Sequence, residues 1–210
     1  WNVDMKGNIL AGVSDCMNIM KYKHQFHMNK NDLYCNAGMY LVDLKKWREE
    51  KVEDKIIKRI HEQNGNVFFF EQTLMNWSCS GKILQLPPKY NAYTLFWAFT
   101  YKNLICWRKP NAFYLESEVE EAKDNPIIIH FTRNFYMLSR PWIKGCDHPK
   151  TKEYVKYKLL TPWKQLEEDN RSKKSIRRYK LWHIIPQRIL AIGAGVIYNE
   201  VRPKLWWKNE

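Results

Sequence analysis

The sequence predicts a mixed α/β fold, and three observations favour it. Short apolar runs with strand character alternate along the chain with segments of helical periodicity. Turn-forming pairs such as Asn64-Gly65 separate neighbouring segments. Hydrophobic residues make up 45% of the 210 residues and aromatic residues 15%, which is enough to bury a sizeable core. Alternation of this kind favours a sheet flanked by helices, in one domain or two.

The predicted elements follow one another from the amino end. Strands are predicted at residues 9–13, 38–44, 83–86 and 127–130, the last one buried behind Pro126. Helices are predicted at residues 45–50, 52–63 and 72–78. In the second helix Ile56, Ile57 and Ile60 share one face, and Asn64-Gly65 supplies a stop. Residues 146–162 are predicted to be a surface connection, and no internal repeat is visible.

Four short motifs in a fixed order carry the first functional information. They are YCNAGMYLVDLKKWR at 34–48, FEQTLMN at 70–76, LPPKYN at 86–91, and IIHF at 128–131 followed by RPW at 140–142. In this order they resemble the signature segments of glycosyltransferase family 8. The resemblance implies a GT-A-type nucleotide-sugar transferase domain with a mixed sheet flanked by helices.

The D-x-D metal motif of that family is absent from the sequence, and residues 1–15 resemble the family segment that follows D-x-D. We therefore expect the chain to be the C-terminal part of a larger enzyme and to be inactive alone. Residues 1–162 would belong to the catalytic domain, whose donor-binding N-terminal half is missing, and residues 163–210 would form a separate tail. The alternative is a complete small protein.

The resemblance implies a donor site built from two segments. Asn36, Ala37 and Gly38 match positions that touch the donor sugar and its diphosphate, and a glycine suits a place where backbone approaches a ligand closely. Glu71 and Gln72 match an Asp-Gln pair, so we expect them to be the catalytic residues. Glu71 would hold sugar hydroxyls and Gln72 would lie against the anomeric carbon. The alternative is a glutamate at a helix start beside an ordinary polar side chain.

The resemblance also implies a divalent cation, Mn²⁺ or Mg²⁺, since the departing diphosphate has to be neutralised. His130 matches the family's metal-binding histidine, and the two aspartate ligands are expected upstream. Arg140 replaces the usual lysine before Pro-Trp and keeps its charge for phosphate binding. The family glycine near the diphosphate has no match, and Arg133 in that region is a second candidate phosphate contact. Asn91 is expected to shape a loop near the acceptor.

Cysteines and charge indicate the compartment and the partners. The five cysteines are an odd number, widely spaced and without a C-x-x-C pair. This pattern argues against a disulfide framework and a zinc site, and it favours a reducing compartment. The net charge is +13, and residues 163–210 hold 11 Lys/Arg against 5 Asp/Glu. A basic excess of this kind favours anionic partners.

The tail combines basic, apolar and tryptophan-rich segments. Residues 171–180 contain six basic residues, residues 189–198 carry no charge, and tryptophans flank them at 182, 206 and 207. The uncharged run is about half the length of a membrane span. This composition is typical of a segment in the membrane interface. The alternatives are a C-terminal helix packed on the body, and nucleic-acid binding by the basic run.

The resemblance and the tail together predict a retaining, metal-dependent glycosyltransferase. It would move a hexose, glucose or galactose, from a UDP-sugar to lipopolysaccharide or another surface glycan or glycolipid. We expect it in the cytoplasm, peripheral on the anionic inner face of the cell membrane. We expect no nucleic-acid partner, because no reading motif accompanies the basic run. The alternative function is a membrane-surface binding fragment of such an enzyme without catalysis.

Overall fold

The computed structural model describes residues 2–17, 20, 23, 26 and 28–207, with side chains to Lys204. The strands are β1 (Leu10–Ser14), β2 (Cys35–Val42), β3 (Ile83–Gln85), β4 (Ala92–Tyr93) and β5 (Ile129–His130). The helices are α1 (Leu44–Glu49), α2 (Val52–Glu62), α3 (Phe70–Ser78), α4 (Leu95–Ala98), α5 (Tyr101–Arg108), α6 (Glu116–Asp124), α7 (Thr151–Lys158), α8 (Lys173–Ile184), α9 (Gln187–Val196) and α10 (Arg202–Trp207). A 3₁₀ turn (Pro88–Asn91) precedes β4, and a π-helical segment (Ile197–Val201) joins α9 to α10.

Two small sheets organise the body. In the first, β1 lies in the middle, antiparallel to β2 and parallel to β3. Every residue of β1 is buried, as its apolar sequence predicts. In the second sheet β4 and β5 pair in parallel, with Tyr93 opposite His130. Side chains from β1, β4, α4 and α5 fill the main core, in which Trp107 is the largest fully buried one.

Local signals in the sequence set the ends of the first helices. Asp43 caps α1, because its side chain accepts hydrogen bonds of 3.0 Å from the Lys45 and Lys46 N–H groups. The predicted stop after α2 is confirmed, since Asn64 and Gly65 both adopt positive φ. The shared apolar face of α2 is only partly covered: Ile57 is 47% exposed.

The strand predicted at residues 127–130 forms only over its last two residues, and these are partly rather than fully buried. Only Ile129 and His130 pair with β4, while the N–H groups of Ile127 and Ile128 both donate to the carbonyl of Lys89. Ile127 is 58% exposed. The run of three isoleucines has the composition of a buried strand, but the N–H groups of its first two residues bond the Lys89 carbonyl, and of these two residues Ile128 alone joins β4, its carbonyl accepting from Ala92 N–H at 2.9 Å.

The C-terminal segment contacts the body through α9. Leu190, Ala191 and Gly195 of α9 are buried, and Gly195 lies so close to α5 that an added Cβ would be 3.2 Å from the Trp107 carbonyl oxygen. The Asn199 side chain donates to that same carbonyl at 2.9 Å. This face of residues 189–198 packs as the packed-helix alternative predicts.

The other face of the C-terminal segment is open. Ile184 is 78% exposed, Ile189 60% and Ile192 51%. No single helix among the described residues has the length and apolar character needed to cross a membrane. Helix α8 and residues 187–204, bent by 112°, meet that requirement together, by length and composition only.

Candidate active site

Strand pairing brings three polar side chains to one edge of the body. Asp15 follows the end of β1, and Asn36 lies at the start of the antiparallel β2, next to the Ser14–Cys35 pair. A backbone hydrogen bond of 2.9 Å from Asp15 N–H to the Tyr34 carbonyl fixes this pairing. His130 ends β5, which is where the carboxyl ends of strands commonly form ligand sites in α/β folds.

Helix α3 supplies a fourth polar side chain, and hydrogen bonds between Asn76 and β2 fix the position of the helix. The Asn76 amide accepts from Cys35 N–H at 2.6 Å and donates to the Cys35 carbonyl at 2.8 Å, which holds α3 against β2. Just ahead of the site, Phe69 and Phe70 have φ of 58° and 46°, a costly backbone for residues with side chains. This turn places Glu71 and Gln72 at the exposed start of α3.

A chain of hydrogen-bonded side chains joins the site; we call it the polar chain, formed by His130, Asn91, Asn36, Asp15 and Gln72. His130 Nδ1 lies 3.1 Å from Asn91 Oδ1, and Asn91 Nδ2 donates to Asn36 Oδ1 at 3.0 Å. Asn36 Nδ2 then donates to Asp15 Oδ2 at 2.9 Å, and Gln72 Nε2 donates to the same oxygen at 3.2 Å. Segments 115 residues apart in sequence thus share one network.

The backbone at β2 sets the direction of every bond in the polar chain. Gly38 N–H can only donate, and it donates to Asn36 Oδ1 at 2.9 Å. Asn36 therefore presents its NH₂ to Asp15, and Asn91 presents its NH₂ to Asn36. Asn91 Oδ1 then faces His130 and accepts, so His130 carries its proton on Nδ1. The lone pair of the imidazole is left on Nε2.

Gly38 leaves room for the imidazole ring. A Cβ on Gly38 would lie 2.5 Å from His130 Cε1 and 2.7 Å from Asn91 Oδ1, and closer still to His130 Nδ1. Any side chain at this position would therefore displace the ring. Gly38, which the resemblance predicts to approach the ligand, lies against His130, which the same resemblance places at the site.

The electrostatics of His130 suit a metal ligand. Burial lowers the pKa of His130 below its usual value, and the positive charge of Arg140 lowers it further against the opposing effect of Asp15. The imidazole is therefore neutral at pH 7. An imidazole that donates one N–H to a protein oxygen and keeps its other nitrogen free is the arrangement typical of metal-binding histidines. Within the described ranges no group of three His, Cys, Asp or Glu side chains gathers to hold a cation.

Gln72 is held on both sides of its amide group. Ala37 N–H donates to Gln72 Oε1 at 3.0 Å, while Nε2 donates to Asp15. The side chain is only half-buried, so the remaining lone pair of Oε1 can face a ligand. Glu71 is exposed on the same first turn of α3 and lies outside the polar chain.

Comparison with known proteins gives these residues a family context. A model of glycosyl transferase family 8 matches residues 1–144, more than half of the chain. The chain belongs to glycosyltransferase family 8. This confirms the resemblance that the four motifs predict.

Curated relatives match over long stretches of the chain. The lipopolysaccharide 1,2-glucosyltransferase of Escherichia coli (strain K12) is 28% identical over 206 residues, which cover 94% of this chain and 55% of that protein. General stress protein A of Bacillus subtilis (strain 168) is 24% identical over 165 residues, 78% of this chain and 54% of that protein. The chain therefore spans about half the length of these relatives.

Solved structures confirm the fold. The bifunctional glycosyltransferase WbbM matches with a TM-score of 0.59 at 17% identity, over 85% of this chain and 31% of that one. The galactosyltransferase LgtC, solved with donor and acceptor sugar analogues, matches with a TM-score of 0.55 at 16% identity, over 85% of this chain and 58% of that one. The predicted GT-A architecture, a mixed sheet flanked by helices, is confirmed.

Of the two predicted phosphate contacts, Arg140 lies near the polar chain, and Arg133 shares a cavity with Arg140. The Arg140 guanidinium stacks on the Trp142 ring at 4.9 Å and acts electrostatically on His130. Arg133 is exposed, and no contact recorded within the described part of the chain joins it to His130. Both arginines line a cavity of about 1040 Å³ next to the site.

Sequence reasoning missed one residue and undervalued another. Asp15 received no role, yet it is the acceptor that joins Asn36 to Gln72. The sequence feature that could have indicated this role is the position of the carboxylate directly after an apolar strand. Asn91 was expected to shape a loop, whereas its side chain, fully buried, sets the orientation of His130.

Proposed function

We propose that the protein containing this chain is a retaining, metal-dependent glycosyltransferase. It moves a hexose, glucose or galactose, from a UDP-sugar to lipopolysaccharide or another surface glycan or glycolipid. One observation carries the proposal: the polar chain joins the family's candidate donor residues at the strand ends of a GT-A fold. The similarity to a lipopolysaccharide glucosyltransferase supports the acceptor class.

His130 is the metal ligand that this chain provides. Its neutral imidazole, with the proton held on Nδ1 by Asn91, offers Nε2 to Mn²⁺ or Mg²⁺. Enzymes of this family typically use a divalent cation. When bound, such a cation neutralises negative charge on the departing diphosphate. We expect the two aspartate ligands upstream, since the chain spans about half of its relatives, and we expect the chain to be inactive alone.

The remaining residues position the donor. The bond between the anomeric carbon and the diphosphate oxygen breaks with its electron pair on UDP, and the acceptor oxygen forms the new bond on the same face. The acceptor hydroxyl gives its proton to the departing diphosphate oxygen. Arg140 stabilises the negative charge that develops on UDP. Glu71 accepts hydrogen bonds from sugar hydroxyls. Gln72, held by Ala37 N–H and Asp15, presents its amide to the anomeric carbon.

We propose that the enzyme works in the cytoplasm, peripheral on the inner face of the cell membrane. The exposed apolar face of α8 and α9, with Ile184, Ile189 and Ile192, supports contact with the acyl boundary. The basic residues at 171–180 add attraction to anionic lipid. The alternative, a membrane-binding fragment without catalysis, has the same surface and no turnover.

Turnover of UDP-hexoses by the whole protein tests the proposed activity. We expect Mn²⁺-dependent UDP release from UDP-glucose or UDP-galactose, abolished by a chelator, and a product with the anomeric configuration of the donor by NMR. An inverted product contradicts the retaining mechanism. Absence of turnover with every UDP-hexose favours the non-catalytic alternative.

Binding to vesicles that contain phosphatidylglycerol tests the membrane contact separately. Ile189→Asp with Ile192→Asp should weaken binding strongly, because both side chains point away from the body. A matched control is Ile57→Asp with Ile60→Asp on α2, where both side chains are also exposed. Equal loss in the two variants, or no loss in either, contradicts the proposed membrane face.

A further inference from the structure

A basic cavity lies beside the polar chain, between the body and the C-terminal segment. Its volume is about 1040 Å³, the size of a pocket for a small ligand. Residues of α5, the 133–143 loop, α8 and the π-helical segment form its walls. Backbone hydrogen bonds of 2.9 Å, Lys144 N–H to the Asp169 carbonyl and Asp169 N–H to the Trp142 carbonyl, tie the start of the tail to the loop. The cavity is therefore a built feature of the fold.

The charged side chains that line the cavity are all positive. Six cationic residues line it, and none of the described lining residues is acidic: Arg108, Arg133, Arg140, Arg171, Lys174 and Arg178. None of the six forms an ion pair within the described residues. The nearby carboxylate of Asp147 accepts from Leu138 N–H and does not line the cavity. Several like charges around one space are destabilising until an anion enters it.

Unused hydrogen-bond donors point to the same kind of ligand. Among the described residues, four cavity-lining side chains have a buried nitrogen without a hydrogen-bond partner: Trp107 Nε1, Arg108 Nε, Asn134 Nδ2 and Arg171 Nη2. Trp107 is only 1% exposed. A buried donor without a partner is costly, so native structures rarely keep several in one place. All four are donors, and an anion with several acceptor oxygens would satisfy them.

The sequence of the tail places its cations on the cavity side. Lys174 and Arg178 are four residues apart on α8, so they share one helical face, which lines the cavity together with Arg171 just before the helix. Arg177 and Lys180 are exposed and do not line it. One helix thus presents cations both to the cavity and to solvent.

We propose that this cavity binds a phosphate group carried by the glycan acceptor, which makes the acceptor substrate a phosphorylated sugar chain. The inference rests on the proposed function and specifies its acceptor. Arg140 lines the cavity and acts on His130, so a ligand there lies beside the donor site, where an acceptor must lie. Lys174 and Arg178 line the cavity, whereas the exposed isoleucines of the proposed membrane face, Ile184, Ile189 and Ile192, do not.

Binding of glucose 6-phosphate to the 210-residue chain tests the site without turnover. Three tryptophans line the cavity, so their fluorescence reports binding: Trp107, Trp142 and Trp182. We expect saturable binding of glucose 6-phosphate and no response to glucose. Lys174→Gln with Arg178→Gln should weaken binding by about tenfold or more, since each charge-assisted hydrogen bond is worth that order. The matched control, Arg177→Gln with Lys180→Gln, removes the same charges and should change binding less than about twofold.

The possible outcomes distinguish this proposal from binding at the donor site and from binding to lipid. Equal binding by the two double variants overturns the cavity site. Displacement of glucose 6-phosphate by UDP with Mn²⁺ in the whole protein assigns the phosphate to the donor site and overturns the acceptor assignment. Loss of phosphatidylglycerol vesicle binding only in Lys174→Gln with Arg178→Gln, with sugar phosphate binding intact, assigns the cations to lipid and also overturns it. Specific sugar phosphate binding without UDP-hexose turnover contradicts the proposed function alone.

Discussion

Replacing Gly38 by alanine perturbs the site through one added methyl group. The new Cβ would lie 2.5 Å from His130 Cε1 and 2.7 Å from Asn91 Oδ1, where real Cβ atoms keep at least about 3.0 Å. Because Nδ1 is closer still, the ring has to move by roughly 1 Å, a misplacement that can cost about a hundredfold in rate. Gly38 is not among the glycines with positive φ, so its backbone accepts alanine. Because the added Cβ overpacks the fully buried Asn91 as well as the ring, we expect the free energy of unfolding to fall by about 1–3 kcal/mol.

The assay compares Mn²⁺ affinity, UDP release and thermal stability for the whole protein. We expect Gly38→Ala to lose about a hundredfold in turnover and to bind Mn²⁺ more weakly, both measured below its melting temperature, which should be lower than that of the wild type. Gly193→Ala is the control, because an added Cβ there meets no atom within 4 Å. If Gly38→Ala keeps wild-type turnover and Mn²⁺ affinity, the close packing of His130 on β2 has no functional role and the reasoning is refuted.

Three further predictions concern other parts of the structure. Asn91→Ala removes the acceptor that holds the His130 proton on Nδ1, so Mn²⁺ affinity should fall by about tenfold or more; an unchanged affinity would show that the tautomer is set elsewhere. Glu71→Ala should lower use of UDP-hexose by about ten- to a hundredfold while UDP binds as before, and an equal loss of both would make Glu71 structural. His148 contacts Trp97 and Phe131, and its burial lowers its pKa from 6.5 to about 4. As the pH drops through this interval, the unfolded chain binds a proton at this histidine before the folded protein does, so the free energy of unfolding falls. His148→Gln should remove up to about 3 kcal/mol of that decline, measured by urea unfolding at several pH values, and a parallel decline in both proteins would contradict the shift.

Sequence patterns predicted those parts of the fold whose signals are local. The apolar run that became β1 and the Asn64-Gly65 stop each act within a few residues. The strand at residues 127–130 was overpredicted because composition cannot show that two N–H groups turn to the Lys89 carbonyl. Tertiary structure, rather than local sequence, decides which acceptor these N–H groups bond.

The site residues inside the family motifs could be predicted from the sequence, and those outside the motifs could not. Asn36, Gly38, Gln72 and His130 lie in those motifs, and the structure brings them together. The role of Asp15 depends on the Ser14–Cys35 register, which joins strands twenty residues apart and leaves no local trace in the sequence.

The tail shows a different limit of sequence reasoning. Its uncharged run has small residues on the side that packs on α5 and β-branched residues on the open side. Composition therefore supports both a packed helix and a membrane-interface segment, and α9 has one face of each kind. The cations of α8 divide in the same way, between the cavity and solvent.

Mn²⁺ affinity of the whole protein with His130→Ala tests the central claim most directly. The account predicts a loss of about ten- to a hundredfold by electron paramagnetic resonance titration, with a matching loss of UDP release. His61→Ala, an exposed histidine on α2, should change neither quantity. A His130→Ala protein that binds Mn²⁺ and turns over UDP-hexose like the wild type would contradict the assignment of this site.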